Sequence, residues 1–254
     1  MPDALARALP SASDSSHPWL VWYSPDERVE LTGRVLSMWN AKCAGLIAEE
    51  AGSGAGVHLG MGPHWRTMTW CAGAWLAGAV PVLLDADDPL VGNLLEEAPS
   101  MSVAFRIHWL FPSADVQVLV TMESLATRWP GPLPPLVLDG VADVMPLADR
   151  LPAVPTDGSA PALLLPWHAV LPAALATGLL WLSYALVAAA PGTDAEAALA
   201  TGARALLIQR RTTEQALLGV LAAWRAGLTA VLVSPDADAA VVASAVRQEG
   251  AFRA

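Results

Sequence analysis

Residues 57–85 read Val57-His58-Leu59-Gly60-Met61-Gly62-Pro63-His64, then an amphipathic run from Trp65 to Leu76, then Ala77-Gly78-Ala79-Val80-Pro81-Val82-Leu83-Leu84-Asp85. Each part predicts its own element. Val57 to Met61 is an apolar run of strand length. Pro63 suits the first turn of a helix, where its missing N–H is no loss. Met68, Cys71, Ala72, Trp75 and Leu76 recur at three- and four-residue spacings, which places them on one helical face. Gly78 stops that helix, and Val80 to Leu84 predicts the next strand. Strand, helix and strand over so short a span form a parallel crossover unit, right-handed in nearly all known cases. The class is therefore α/β.

The unit recurs near the C-terminus. Ala205 to Gln209 predicts a strand, and Thr212 with Gln215 has capping-box spacing for the helix after it. Leu217 to Trp224 supplies the apolar face, Gly227 ends the helix, and Thr229 to Val233 predicts a strand. Ala74–Leu84 laid over Ala223–Val233 is identical at six of eleven positions. Two related half-domains follow, each burying a tryptophan, Trp75 or Trp224, against a sheet.

Upstream, Leu20 to Tyr23 is a short apolar run ending at the turn Ser24-Pro25-Asp26. Thr32 predicts a helix N-cap, and Leu36, Trp39, Cys43, Leu46 and Ile47 form the stripe of the helix it starts. Gly52 to Gly56 ends that helix. Between the two crossover units, Gln117 to Thr121 and Leu136 to Asp139 predict strands separated by a Pro-rich turn at Trp129 to Pro135. Pro146, Pro152, Pro155 and Pro161 mark a linker. The expected organisation is a mobile N-terminus (1–19), a first lobe (20–145), a Pro-rich linker (146–161) and a second lobe (162–254). Each lobe contains a crossover and a mainly parallel sheet flanked by helices.

Hydrophobic residues make up 54% and charged residues 15%, so the chain buries a large core and is not disordered. A net charge of −10 argues against nucleic-acid binding, which needs clustered cations. Cys43 and Cys71 match no metal or redox spacing and read as buried, reduced thiols of a cytoplasmic protein. Met1 to Ser16 has no apolar core and does not read as a signal peptide. Leu171 to Ala190 is apolar enough to span a bilayer by length. Pro166 and Pro172 break its start and basic flanks are absent, so a helix buried between sheets is preferred over a membrane span.

Residues 57–85 resemble the early region of acyl-CoA synthetases and related AMP-binding, adenylate-forming enzymes. There, a strand and a Pro-Asn-Ser-x-Glu-like turn precede a helix ending in Ala-Gly-Ala-Val-Pro-Val-Pro-Leu. Gly62-Pro63-His64 and Ala77 to Val82 occupy those places here. Leu31-Thr32-Gly33 resembles the family's opening of its first helix, and Leu221 to Val233 with Asp236 resembles a segment downstream of its phosphate loop. The likeness covers most of the chain thinly and is specific only around 57–85. It implies a divergent relative corresponding to the N-terminal domain alone, similar to a small actinobacterial group of AMP-binding-like proteins.

The departures set the functional expectation. The family's loop, Ser/Thr-Ser-Gly-Ser/Thr-Thr-Gly-x-Pro-Lys, wraps phosphates with backbone N–H groups and places a cation beside them. The resemblance puts it after Ala162 to Leu165, where the chain reads Pro166-Trp167-His168-Ala169-Val170, without glycine, hydroxyl or lysine. The sole lysine, Lys42, falls in an early helix. The family's adenine-side motif, ribose-binding region and C-terminal lid have no counterpart here. Charge on the α-phosphate in the transition state would go unmatched. The resemblance with these departures implies no catalytic residue, no metal and no cofactor of its own, ATP or AMP being what the fold would otherwise take. If active, the chain would be an ATP-dependent acyl-activating ligase with a non-standard loop.

The candidate ligand-binding residues are Trp167, His168 and Asp85. Trp167 and His168 stand where the phosphate loop should be and are suited to closing the pocket or stacking on a flat ligand; the competing reading of His168 is a core histidine. Asp85, with Asp87 and Asp88, follows a strand at the edge where open α/β sheets bind ligands. Its alternatives are a hard-cation site and a solvated acidic turn, repeated at Asp236 and Asp238. Gly52 to Gly56 precedes its strand, the wrong order for a dinucleotide fingerprint. His58, His64 and His108 lack metal-ligand spacing, and no Gly-x-Ser-x-Gly elbow exists. The expected role is binding of a small acyl or nucleotide-like ligand in an apolar pocket between the lobes. The alternative is a structural or regulatory partner in a homo- or hetero-oligomer, since a lobe cut from a larger domain exposes apolar surface or a strand edge.

Overall fold

The computed structural model describes residues 4–84, 98–166, 179–189 and 192–253. Its first half runs α1 (Ala4–Ala8), β1 (Pro18–Tyr23), β2 (Arg28–Thr32), α2 (Gly33–Glu50), β3 (Gly56–Gly60), α3 (Trp65–Leu76), β4 (Val80–Val82), β5 (Met101–Ala104), β6 (Val116–Leu119) and β7 (Val137–Asp139). Then follow β8 (Pro161–Pro166), β9 (Leu179–Ser183), α4 (Tyr184–Ala188), α5 (Thr193–Ala200), β10 (Ala205–Ile208), α6 (Thr213–Arg225), β11 (Thr229–Val233), α7 (Ala239–Glu249) and β12 (Ala251–Phe252).

The strands make two sheets, of order β7-β6-β5-β3-β4-β8-β9 and β12-β10-β11-β1-β2. All neighbours are parallel except β8–β9 and β1–β2. The five strands of the second sheet match five of the first one by one: β12 with β5, β10 with β3, β11 with β4, β1 with β8, and β2 with β9. In both, the crossover helix, α3 or α6, ends at a left-handed glycine, Gly78 (φ 70°) or Gly227 (φ 71°). A Cβ is strained in that backbone region, so glycine ends both helices. The repeat expected from the sequence is thus present in the fold.

The sheets do not follow the sequence division at 146–161. The N-terminal strands β1 and β2 lie with β10–β12, whereas β8 and β9 extend the sheet of β3–β7. Two further differences concern the second half. Among the described residues of the apolar stretch 171–190, residues 179–183 form edge strand β9 and 184–188 a short helix, so these residues do not form the expected buried helix. Among the described residues no helix is long and apolar enough to cross a membrane. Thr212 does cap α6, but its side chain makes no capping hydrogen bond, so the capping box does not form.

The local expectations of the first half hold more closely. Thr32 caps α2 by accepting from Val35 N–H at 3.4 Å. Leu36, Cys43, Leu46 and Ile47 are buried, and Trp39 packs partly buried on the same core. α3 is buried on every side through Trp75, since α2 covers the face turned away from the sheet. Gly73 allows that contact: a Cβ there would lie 2.7 Å from Cys43 Cβ. Cys43 and Cys71 are both buried and free, and burial pushes the Cys43 thiol up to about 12.

Candidate functional site

Strands β4 and β8 run side by side, with Val82 opposite Leu164 and Leu83 N–H bonded to Leu164 O at 2.9 Å. They therefore end together at the carboxyl edge of the larger sheet, the edge where open α/β sheets bind ligands. In sequence Asp85 comes three residues after β4, and Trp167 and His168 come immediately after β8. All three candidates lie outside the described residues. In the second copy the matching acidic turn caps a helix: Asp238 accepts from Ala240 and Val241 N–H, both at 2.9 Å.

The described part of this edge holds a buried polar cluster between the two sheets. Glu27, in the β1–β2 turn, accepts from Trp22 Nε1 at 3.0 Å and from Ser124 Oγ at 2.6 Å. Ser124 Oγ in turn accepts from Trp65 Nε1 at 2.8 Å. His64 caps α3 by accepting Arg66 N–H at its Nδ1, 3.1 Å away, and its Nε2 lies 4.0 Å from Glu27 Oε1. The ring packs edge-on to Trp22 at 4.6 Å and to Phe105 at 5.2 Å. Burial, reinforced by the Arg66 cation, holds His64 neutral and pushes it down to about 3, against a smaller pull from the Met122 backbone.

Arg66 is itself almost fully buried. It donates from one Nη to the carbonyls of Glu123, Ser124 and Ala126 and stacks on Trp65, 4.5 Å from the ring centre. Burial pushes its guanidinium down to about 10. It therefore pins the segment after β6 to the start of α3. Glu27 and Ser124 are committed to protein partners, whereas Nε2 of His64 has no hydrogen-bond partner among the described residues, and the arrangement joins the two sheets. The sequence passed over Glu27 and Ser124 because they are 97 positions apart and carry no motif.

His58, on β3, sits deeper at the same edge. Its Nε2 lies 2.9 Å from Leu84 O and its Nδ1 2.8 Å from Ser102 Oγ, which also accepts Phe111 N–H at 2.8 Å. A neutral ring protonated at Nε2 satisfies all three contacts. Both ring nitrogens thus hold the chain at the end of β4. Among the described residues no group of three or more His, Cys, Asp or Glu side chains could hold a metal ion.

The sole lysine lies elsewhere. Lys42 projects from α2 onto the segment after β7, where Nζ donates to Met145 O at 2.6 Å and Leu147 O at 2.5 Å and pairs with Asp149 at 2.8 Å. Its side chain is 7% exposed.

Comparison with known proteins gives the fold a context. No family model matches the sequence, and no curated protein matches it significantly. Solved structures do match over nearly the whole chain. An acyl-CoA synthetase from Brucella canis superposes with a TM-score of 0.78 at 14% identity, over 99% of this chain and 46% of that one. O-succinylbenzoate coenzyme A synthetase from Bacillus subtilis, in complex with ATP and magnesium ion, gives 0.68 at 13% over 99% and 62%. The N-terminal domain of FACL13 from Mycobacterium tuberculosis gives 0.64 at 19%, again over 99% and 62%. The chain spans 46–62% of the length of these three chains, and at these identities the likeness is one of fold. The chain has the fold of the N-terminal part of acyl-CoA synthetases, the adenylate-forming enzymes that residues 57–85 resemble.

Proposed function

We propose that the chain binds a small acyl or nucleotide-like ligand at the carboxyl edge of its sheets and does not itself form adenylates. The commitment of Lys42 carries this reading. The one lysine is buried against two carbonyls and Asp149, so it is not available to a phosphate at the β8–β9 connection. That connection, residues 167–178, contains neither lysine nor arginine, and its only glycine, Gly178, stands at its far end. Adenylation develops charge on the α-phosphate that must be met by fixed donors and cations, usually the largest catalytic contribution. Trp167 and His168 are instead the flat side chains proposed to stack on the ligand, and Asp85 the carboxylate proposed to contact it. Two buried, free thiols suit a reducing, cytoplasmic location.

The test is thermal unfolding with ATP, AMP, coenzyme A and a non-hydrolysable acyl-adenylate analogue, beside ATP–pyrophosphate exchange with a panel of acids. A ligand at a hundred times its Kd adds about 2.7 kcal/mol, which raises Tm by roughly 5–11 °C for a chain of this size. A shift with AMP or the analogue and no exchange is the expected result. Exchange above background would instead establish a ligase with a non-standard loop.

Exposed apolar side chains favour a second reading, a partner protein that covers them. Leu136 is 98% exposed at the entrance to β7, and Leu125 is 89% exposed after β6. Solution mass by light scattering separates a monomer from an oligomer, and no ligand shift together with an oligomer would favour this reading.

A further inference from the structure

A cavity of about 210 Å³ opens among α2, the C-terminal end of α3 and the segment after Met145. Leu76 on its wall is about 18 Å along α3 from the His64 cap, at 1.5 Å per residue. The cavity is therefore at the opposite end of the sheet from the carboxyl edge. Leu9, Leu76 and Leu151 give it apolar walls, and Ser37, Asn40 and Arg150 give it polar ones.

Asn40 is 1% exposed, yet its Oδ1 has no hydrogen-bond partner, and its amide makes no hydrogen bond among the described residues. Buried polar groups are nearly always paired, so an unpaired one on a cavity wall calls for a cause. Ser37 lies three residues earlier on the same face of α2. Arg150 makes no ion pair with any described residue. The chain leading to it is held by Lys42, which binds Met145 O and Leu147 O and pairs with the adjacent Asp149.

We propose that this cavity binds a small monocarboxylic hydroxy acid, its carboxylate on Arg150 and its hydroxyl donating to Asn40 Oδ1 beside Ser37. One guanidinium matches one negative charge and offers the paired donors that a carboxylate takes. A phosphate would leave its second charge unmatched, since the ammonium of Lys42 is already neutralised by Asp149. The volume is below the roughly 300–1,000 Å³ of drug-sized sites, which limits the acid to a few carbons. The site is independent of the reading proposed for the carboxyl edge.

The experiment is titration of the full chain with lactate by calorimetry, and with pyruvate as the analogue whose keto oxygen cannot donate. Propionate, without the second oxygen, and methyl lactate, without the charge, serve as comparators. Lactate binds, pyruvate and propionate bind more weakly because neither has a hydroxyl to donate, and methyl lactate does not bind. Arg150→Gln weakens binding by about tenfold or more, the worth of a charge-assisted hydrogen bond, with Tm unchanged because Arg150 is exposed. Asn40→Ala removes the preference for lactate over propionate. The proposal is overturned if no acid binds at millimolar concentration, or if binding is indifferent to Arg150→Gln.

Discussion

Trp75 and Trp224 occupy equivalent places in the two copies of the fold. Each stands three residues before the left-handed glycine that ends its helix. Each donates its indole N–H to the second residue of the neighbouring parallel strand: Trp75 to Ala162 O of β8 at 2.6 Å, and Trp224 to Trp19 O of β1 at 2.9 Å. The indole fixes the helix to a strand beyond the crossover unit itself. Trp75→Phe retains most of the apolar bulk and strands a carbonyl. It is expected to destabilise by about 1–3 kcal/mol, and Trp224→Phe by a comparable amount, both read by urea unfolding followed by circular dichroism.

Lys42→Met removes a buried donor from two carbonyls and an ion pair. Hydrogen bonds to a charged group contribute about 1.5–3 kcal/mol each way of counting, so a loss of that order is expected, with faster proteolysis near residues 145–151. Asp149 is 67% exposed, and Asp149→Asn should cost less than about 1 kcal/mol. Equal losses from the two variants would contradict the carbonyl contacts as the main contribution.

His64 makes stability depend on acid. In the unfolded chain the imidazole takes up a proton near its ordinary 6.5, and in the folded chain near 3. Between those values only the unfolded chain binds the proton. Stability is therefore full above about pH 6.5 and declines as pH falls toward 3, by about 1.4 kcal/mol per pH unit. His64→Asn keeps a capping oxygen and lacks the titration. The difference in unfolding free energy between wild type and His64→Asn should shrink steadily from pH 7 to pH 4.

Gly73→Ala tests the packing of α2 on α3. An exposed helical site gains up to about 1 kcal/mol from this change. Here the new methyl meets Cys43 Cβ at 2.7 Å and Ala44 N at 3.0 Å, and overpacking of that kind costs about 1–3 kcal/mol. A lower Tm is expected; a higher one would show that the helices separate easily.

Much of the fold was legible because its signals are local. The strand at Val57, the stripe of α2, the helix stop at Gly78 and the repeat at Gly227 are all read within a dozen residues. Sheet membership was not, because Leu20 pairs with Ala230 and no pattern near Leu20 records that. Strand β2 carries no apolar run that would mark it, because Arg28 and Glu30 are exposed on an edge. The apolar run before Ala190 read as a helix because leucine and alanine do not distinguish a helix from edge strand β9. The polar groups of the sites were least legible. Lys42 meets its partners more than a hundred residues later, and Asn40 shares its cavity wall with Arg150 at a similar remove.

The pairing of β1 with β11 also sets an order of events during synthesis. Leu20, Val21, Trp22 and Tyr23 are at most 5% exposed in the finished protein, and their parallel partners are Ala230 to Val233. The ribosome makes that apolar strand first and its parallel neighbour some two hundred residues later. Pairings of such sequence separation form slowly. Until β10 and β11 emerge, β1 has only β2 beside it in the sheet, and two strands alone are marginal in water. The smaller sheet must therefore close after the larger one, and a chain interrupted at 146–161 would carry β1 without its partner. The nascent N-terminal strand therefore stays without its parallel neighbour until residues 229–233 are made.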